Sequence, residues 1–177
     1  RLLQTMKPVA DERGAILLFP RSLGVTWDLV QNMQAADDPW VGPDAHRIDQ
    51  SLEDLFGRAA IDPSRIVLLG FSDGASYALS LGLSNPKLFT SVVAMSPGMF
   101  APPRRDDKTQ RVYIAHGKRD RILRSSNTSA IADALRLERA NLRFPAFDGD
   151  HQIDKAALAE ALDWTLGKAE PTAALQP

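Results

Sequence analysis

Cysteine is absent from the 177 residues of this chain. Its absence excludes disulfide bonds, thiolate metal sites and a cysteine nucleophile. The net charge is only −1, so the chain lacks the excess of positive charge with which proteins bind nucleic acids or anionic membranes. It also lacks any apolar run near the roughly 20 residues of a membrane span. What remains is the composition of an ordinary globular protein, with 44% hydrophobic and 24% charged residues.

Two further kinds of pattern are missing. No cluster of His, Asp and Glu has the spacing of metal ligands, and no glycine-rich loop resembles a phosphate cradle, so we expect neither a metal nor a cofactor. The given residues contain no recognisable signal peptide, but they begin inside a predicted helix and not at a true N-terminus, so the compartment is left open, with the cytoplasm slightly favoured. The sequence does not determine the oligomeric state.

One stretch joins an apolar strand to a helix through a turn that contains a serine. Residues 66–69 form a short unbroken apolar run, typical of a parallel strand buried on both faces. From Ala75 to Gly82, small and apolar residues recur with helical spacing. The turn between them, Gly70-Phe71-Ser72-Asp73-Gly74, is a G-x-S-x-G elbow, which holds its serine in a strained conformation with the hydroxyl above the sheet. The two glycines leave the room that a Cβ would fill.

Predicted strands and helices alternate along the rest of the chain. Strands are predicted over residues 15–19, 66–69, 91–95, 111–115 and 142–147. Helices are predicted from residue 1 to Gly14, from a cap at Asp44 to Ala59, after Ser72, from Ser125 onward, and over 152–166. The alternation predicts an α/β fold with a mainly parallel sheet. We expect a single domain over residues 1–167 and a flexible tail over residues 168–177.

Three residues with catalytic side chains follow predicted strands: Ser72, Asp120 and His151. Binding sites of parallel sheets lie at the carboxyl ends of the strands, so these residues are expected to meet. A serine hydroxyl becomes a nucleophile when a base takes its proton, and the base needs a partner that fixes its tautomer. The chain order Ser, Asp, His is that of α/β-hydrolases and not that of chymotrypsin or subtilisin.

The aspartates beside His151 are alternative partners for its ring. Asp148 and Asp150 flank the histidine, but a side chain rarely reaches its neighbour's ring in the right geometry, so Asp120 is the preferred acid. His116 ends a predicted strand four residues before Asp120, where we expect it to stabilise the acid loop.

Large apolar residues lie in the loops on the same face of the predicted sheet. Each either lines a pocket for the acyl group or anchors its own loop, and the sequence favours neither role. These residues are Trp27, Trp40, Met99, Phe100 and Leu123.

Three motifs together resemble the carboxylesterase/phospholipase branch of the α/β-hydrolases, which includes esterases related to polyhydroxybutyrate depolymerases. They are Gly70-Phe71-Ser72-Asp73-Gly74-Ala75, His116-Gly117-Lys118-Arg119-Asp120 and Gly149-Asp150-His151. The resemblance runs from the first helix to the last. It implies a mainly parallel sheet with helices on both faces, and Ser72, Asp120 and His151 as nucleophile, acid and base. It further implies that the N–H of Asp73 is an oxyanion donor, and that small-molecule carboxylic esters are cleaved through an acyl-enzyme without cofactor.

The sequence departs from this family before the first helix. Family members have a strand there that ends in a His-Gly-rich loop and donates a second oxyanion N–H, but no His-Gly pair precedes Ser72. We therefore expect the chain to be N-terminally incomplete. A gap one strand wide, about 4.8 Å beyond normal spacing, should separate the strands at 15–19 and 66–69. This departure also favours the rival interpretation, a non-catalytic scaffold or fragment used for binding.

The connection between Met95 and Arg111 is the usual place for a lid domain in this fold. It has only about 15 residues, too few for a helical lid. The sequence therefore predicts an open site for small or medium-sized soluble esters.

Overall fold

The structure is a computed structural model that describes residues 2–28, 42–100 and 109–167. The described residues include five α-helices, α1 (Leu2–Asp11), α2 (Pro43–Arg58), α3 (Asp73–Ser84), α4 (Ser125–Leu137) and α5 (Lys155–Leu166), and a short 3₁₀-helix at Pro63–Arg65. The strands are β1 (Val67–Phe71), β2 (Ser91–Met95), β3 (Arg111–Gly117), β4 (Asn141–Arg143) and β5 (Ala146–Phe147). The predicted tail at 168–177 lies outside the described residues.

The strands form a parallel sheet in the order β1-β2-β3-β4, and β5 also pairs with β3. Alternate residues of each strand face opposite sides. Val93 of β2 and Tyr113 of β3 face a cluster that includes residues of α1 and α5. Their neighbours Val92 and Val112 face a second cluster, built with α3 and α4. The prediction of a mainly parallel sheet with helices on both faces is therefore confirmed.

The predicted strand at residues 15–19 is wrong. These residues pair with no strand in the described part of the chain. Leu17 packs against the core, whereas Ile16 and Leu18 are exposed. The segment thus keeps the alternation of a strand, but no strand in the described ranges forms a ladder with it.

A cavity of about 610 Å³ is lined by residues 15–20 and by all of β1. The carbonyl of Ile66 accepts from Thr90, and the N–H of Ser72 donates to Met95 on β2, each at 2.9 Å. Because backbone groups alternate in direction, those of the odd-numbered residues 67, 69 and 71 point away from β2. Residues 15–19 and β1 are not paired with each other, as expected. The predicted width of the gap between them stays a prediction.

The predicted strand at 142–147 is interrupted. β4 and β5 are separated by Phe144 and Pro145, and both short strands pair with β3. Proline has no N–H to contribute to a ladder, which explains the break. The last helix also begins later than predicted, because Asp154 caps it by accepting the N–H of Ala157 at 2.9 Å.

Asp44 does not cap its helix as predicted. Gly42 occupies the cap position of α2, and the backbone N–H of Asp44 donates to the carboxylate of Asp28 at 2.8 Å. The Asp44 carboxylate instead accepts the backbone N–H groups of Leu23 and Asp28, each at 2.8 Å. The buried carboxylate therefore ties the segment 23–28 to the start of α2.

Candidate active site

Ser72 lies in the turn between β1 and α3, at the carboxyl edge of the sheet. Its backbone has φ 59° and ψ −122°, a conformation that non-glycine residues rarely adopt. The turn is this tight because Gly70 has no side chain. A Cβ on Gly70 would lie 2.0 Å from the carbonyl oxygen of Gly74. The strained serine that the G-x-S-x-G pattern predicts is thus present.

Gly74, the second glycine of the motif, is less constrained than predicted. A Cβ there would meet only the Trp27 indole nitrogen, at 3.4 Å, which is an ordinary contact. The steric argument therefore holds for Gly70 and not for Gly74, since only Gly70 faces backbone atoms across the turn.

The structure brings Ser72, His151 and Asp120 into one chain of hydrogen bonds. The Nε2 atom of His151 lies 2.9 Å from the Ser72 hydroxyl, and its Nδ1 atom lies 2.7 Å from Oδ2 of Asp120. Because a carboxylate only accepts, Nδ1 carries the ring proton and Nε2 faces the serine as the basic nitrogen. The arrangement can withdraw a proton from the serine hydroxyl.

The Asp120 carboxylate is held from several sides. Its Oδ1 atom accepts the backbone N–H groups of Ile122 and Leu123 at 2.8 and 2.9 Å. Burial raises the pKa of this carboxyl, but the hydrogen bond from His151, those from the two backbone N–H groups and the charge of His151 outweigh burial and lower it below its ordinary value. Asp120 is therefore a stable anion beside the imidazole at neutral pH.

Two loops bring the acid and the base together. The N–H of Lys118 donates to Phe147 O at 2.9 Å, and that of Arg119 donates to Gly149 O at 3.0 Å. These bonds join the end of β3 to the end of β5. The Arg119 guanidinium forms ion pairs with Asp148 and Asp150, both largely exposed. The two alternative acids thus face Arg119, and Asp120 faces the imidazole.

Several supporting residues were not predicted from the sequence. The Phe71 ring lies against the His151 ring, with centroids 4.7 Å apart, and restricts where the imidazole can move. The Thr26 hydroxyl donates to the Asp73 carboxylate, which also accepts the N–H of Gly74 at 2.8 Å. The only sequence signal for these contacts is the position of Phe71 and Asp73 within the elbow.

The predicted pocket residues are placed in different surroundings. The Trp27 ring stacks on Tyr77 of α3, with centroids 4.6 Å apart, and lines the cavity beside β1. Met99 is 44% exposed, while Phe100 packs against the cluster that contains α3 and α4. The Leu123 side chain lies near Gly98. The last predicted pocket residue, Trp40, lies outside the described residues.

The cavity beside β1 reaches the elbow without enclosing the reactive atoms. Phe71, Asp73 and Gly74 are among its lining residues, whereas Ser72 and His151 are not. The backbone N–H of Asp73 belongs to the first turn of α3, where N–H groups have no partner within the helix. This N–H and the helix dipole favour negative charge beside Ser72.

The described residues contain no group of three or more His, Asp or Glu side chains that is able to hold a metal ion. Within the same ranges, no helix is both long and apolar enough to cross a membrane.

Residues 30–166 match the family model described as Phospholipase/Carboxylesterase. The chain is similar to a carboxylesterase of Bacillus cereus, with 22% identity, a TM-score of 0.63, and coverage of 93% of this chain and 80% of that one. It is also similar to esterase PE8, with 25% identity, a TM-score of 0.56, and coverage of 68% and 58%. These similarities support the α/β-hydrolase fold predicted from the sequence.

A relative from Nocardia uniformis subsp. tsuyamanensis, named "Putative esterase NocK", is 26% identical over 99 residues. The match covers 55% of this chain and 28% of that protein. The chain thus spans less than a third of this relative's length.

Proposed function

The chain belongs to the phospholipase/carboxylesterase family, and from this premise we propose that it is a serine hydrolase of carboxylic esters. The observation that carries the proposal is the continuous path from the Ser72 hydroxyl through His151 to Asp120, with separations of 2.9 and 2.7 Å. The proposed reaction uses these three side chains and no metal or cofactor.

In the proposed mechanism, the Ser72 oxygen attacks the acyl carbonyl while His151 Nε2 takes the hydroxyl proton. The imidazolium that forms is stabilised by the Asp120 carboxylate, which keeps the ring oriented. His151 then gives the proton to the departing alcohol, and an acyl-enzyme remains. A water molecule, deprotonated by the same ring, attacks the acyl carbonyl; the bond to Ser72 breaks, the acid leaves, and His151 returns the proton to the serine oxygen.

The oxyanion of the tetrahedral intermediate needs donors on the elbow side of Ser72. We assign one, the backbone N–H of Asp73 at the start of α3. A second donor is not assigned to any described residue.

The substrate we propose is a small or medium-sized soluble ester. The connection between β2 and β3 is too short for a helical lid, so the serine would stay open to solvent. Trp27, Met99 and Leu123 are the described candidates for the acyl-binding wall. We further propose that residues 1–167 form one catalytic domain without a lid.

The proposal is tested with a fluorophosphonate probe, which reacts only with an activated serine, and with hydrolysis of a p-nitrophenyl ester. The wild-type chain should be labelled at Ser72. Ser72→Ala should abolish labelling and lower kcat by about 10⁵- to 10⁶-fold. Ser129→Ala is the matched control, because Ser129 is an exposed serine on α4, and it should leave both readouts unchanged.

A folded chain that resists the probe and has no esterase activity would contradict the proposal. That result would favour the rival function, a non-catalytic α/β-hydrolase scaffold used for binding.

A further inference from the structure

A second histidine lies behind the acid of the proposed triad. His116, near the carboxyl end of β3, is only 2% exposed. Its Nε2 atom lies 3.1 Å from the Leu123 carbonyl oxygen and 3.4 Å from Oδ2 of Asp120. Oδ2 is the same oxygen that bonds to His151. The carboxylate of Asp120 therefore lies between two imidazole rings.

The chemistry of its neighbours determines where His116 carries a proton. A backbone carbonyl and a carboxylate only accept hydrogen bonds. Both groups near Nε2 are of this kind, so Nε2 must be an N–H donor. A buried Nε2 without a proton would place its lone pair against two acceptors, which is strongly unfavourable.

The other ring nitrogen is held by Thr128, a fully buried residue near the start of α4. The Thr128 hydroxyl lies 2.8 Å from His116 Nδ1 and 2.8 Å from the carbonyl oxygen of Pro97. A hydroxyl has one proton, so it donates to one of these atoms and not to both. If the proton goes to His116, Nδ1 accepts it; if it goes to Pro97, Nδ1 must itself carry a proton and donate to the Thr128 oxygen. In either arrangement Thr128 fixes the plane of the His116 ring, and the Nε2 proton keeps its direction.

We propose that His116 is a positioning residue for Asp120. Its Nε2–H bonds to the Leu123 carbonyl, which closes the turn 120–123, and lies 3.4 Å from Oδ2 of Asp120, where its positive end helps to aim the carboxylate at His151. This inference rests on the proposed function, because its effect on turnover passes through the triad. Thr128 supports the ring from α4 and thereby couples that helix to the acid.

The contacts of Asp120 explain why such a donor is needed. Its side chain is fully shielded from solvent, so each carboxylate oxygen requires partners from the protein. Two backbone N–H groups satisfy Oδ1. His151 donates to Oδ2, and the Nε2–H group of His116 lies 3.4 Å from the same oxygen. Without His116, the turn 120–123 loses its bond to the Leu123 carbonyl and Oδ2 loses a neighbouring donor, so the carboxylate keeps the direction that suits His151 less firmly.

The test compares two amide substitutions in the full 177-residue chain. The amide nitrogen of His116→Gln reaches the position of Nε2 and keeps the donor toward Asp120. That of His116→Asn reaches only the position of Nδ1 and loses it. We expect His116→Asn to lower kcat by about 100-fold, the scale of a 1 Å misplacement, with little change in KM. His116→Gln should recover most of this loss.

Two control variants accompany the pair. His46→Gln replaces an exposed histidine of α2 and should have wild-type activity. Thr128→Val keeps the shape of the side chain but removes the hydroxyl, so it should lower kcat less than His116→Asn does. Thermal unfolding of all variants shows whether a loss of activity reflects a loss of folded protein.

A spectroscopic readout separates this inference from the proposed esterase activity. The proton shared by His151 Nδ1 and Asp120 Oδ2 should give a low-field NMR resonance, whether or not the chain turns over an ester. It should persist in His116→Gln and shift or broaden in His116→Asn. Equal losses of kcat in the two variants, or an unchanged resonance in His116→Asn, would overturn the positioning role. An inactive wild type with this pattern of resonances would refute only the proposed function.

Discussion

Gly117 lies so close to Asp150 that a Cβ on Gly117 would be 2.3 Å from the Asp150 carbonyl oxygen. The loop before His151 rests directly on the backbone at the end of β3. The spacing between Asp120 and His151 therefore depends on the absence of one side chain. Position 117 therefore requires glycine because of this close backbone contact, and not because the loop has to be flexible.

We predict that Gly117→Ala separates the two loops. Asp150 has to move to accommodate the methyl group, because the obstructing atoms are backbone atoms. A displacement of about 1 Å should lower kcat on a p-nitrophenyl ester by about 100-fold. Gly57→Ala is the control. No atom lies within 4 Å of a Cβ at this helical position, so activity should not change. Wild-type kcat in Gly117→Ala would show that the loops tolerate the shift.

Asp120→Asn tests the identity of the acid. The amide keeps the size of the side chain but favours the wrong tautomer of His151, so kcat should fall by roughly 10⁴-fold. Asp150→Asn is the matched control, because Asp150 is exposed and faces Arg119. It should change kcat by less than about twofold. A greater loss in Asp150→Asn than in Asp120→Asn would make Asp150 the acid.

The proposed base predicts a single step in the dependence of activity on pH. A histidine base has to be neutral to accept the serine proton, so kcat/KM should rise with pH through one step. The lowered pKa of Asp120 means that this carboxylate does not cause that step. A flat profile from pH 5 to 8, measured under kcat/KM conditions, would argue against a histidine base.

The same lowered pKa determines the sign of the effect of acid on stability. The ionised form of Asp120 is favoured by the folded state, so its contribution is fully present above the unfolded pKa. It is lost as the pH falls through the folded pKa. The free energy of unfolding in urea should therefore stay constant over the pH range in which kcat/KM rises. It should fall only in strong acid. Unfolding that coincides with the loss of activity on acidification would invalidate the kinetic interpretation.

Asp44→Asn should loosen the segment that carries Trp27. The Asp44 carboxylate is 1% exposed and accepts two backbone N–H groups. An amide offers one oxygen, so one buried N–H loses its acceptor at a cost of about 1–3 kcal/mol. Asp54→Asn is the control, because Asp54 forms an exposed ion pair with Arg58 on the same helix. Its cost should stay below about 0.5 kcal/mol, as measured by urea unfolding. Equal costs for the two variants would show that Asp44 does not secure the segment.

The sequence by itself determined the features that depend on neighbouring residues. An apolar run followed by G-x-S-x-G and a helical pattern was sufficient to predict β1, α3 and the strained backbone of Ser72. The same kind of argument predicted β2, β3 and α4, since strand and helix periods are local properties. The expectation that Ser72, Asp120 and His151 meet followed from their positions at the ends of parallel strands.

Only the tertiary structure decided which side chains form pairs. Asp150 is adjacent to His151 in the sequence and Asp148 lies three residues before it, yet the ring faces Asp120, the preferred acid, 31 residues away. The choice depends on how the loops after β3 and β5 pack, which no local pattern encodes. Loop packing also decides that the Asp28 carboxylate accepts the N–H of Asp44 in the first turn of α2, and that His116 lies beside Asp120. Residues 15–19 have the pattern of a strand but pair with no other segment among the described residues, and a strand exists only where another segment supplies its hydrogen bonds.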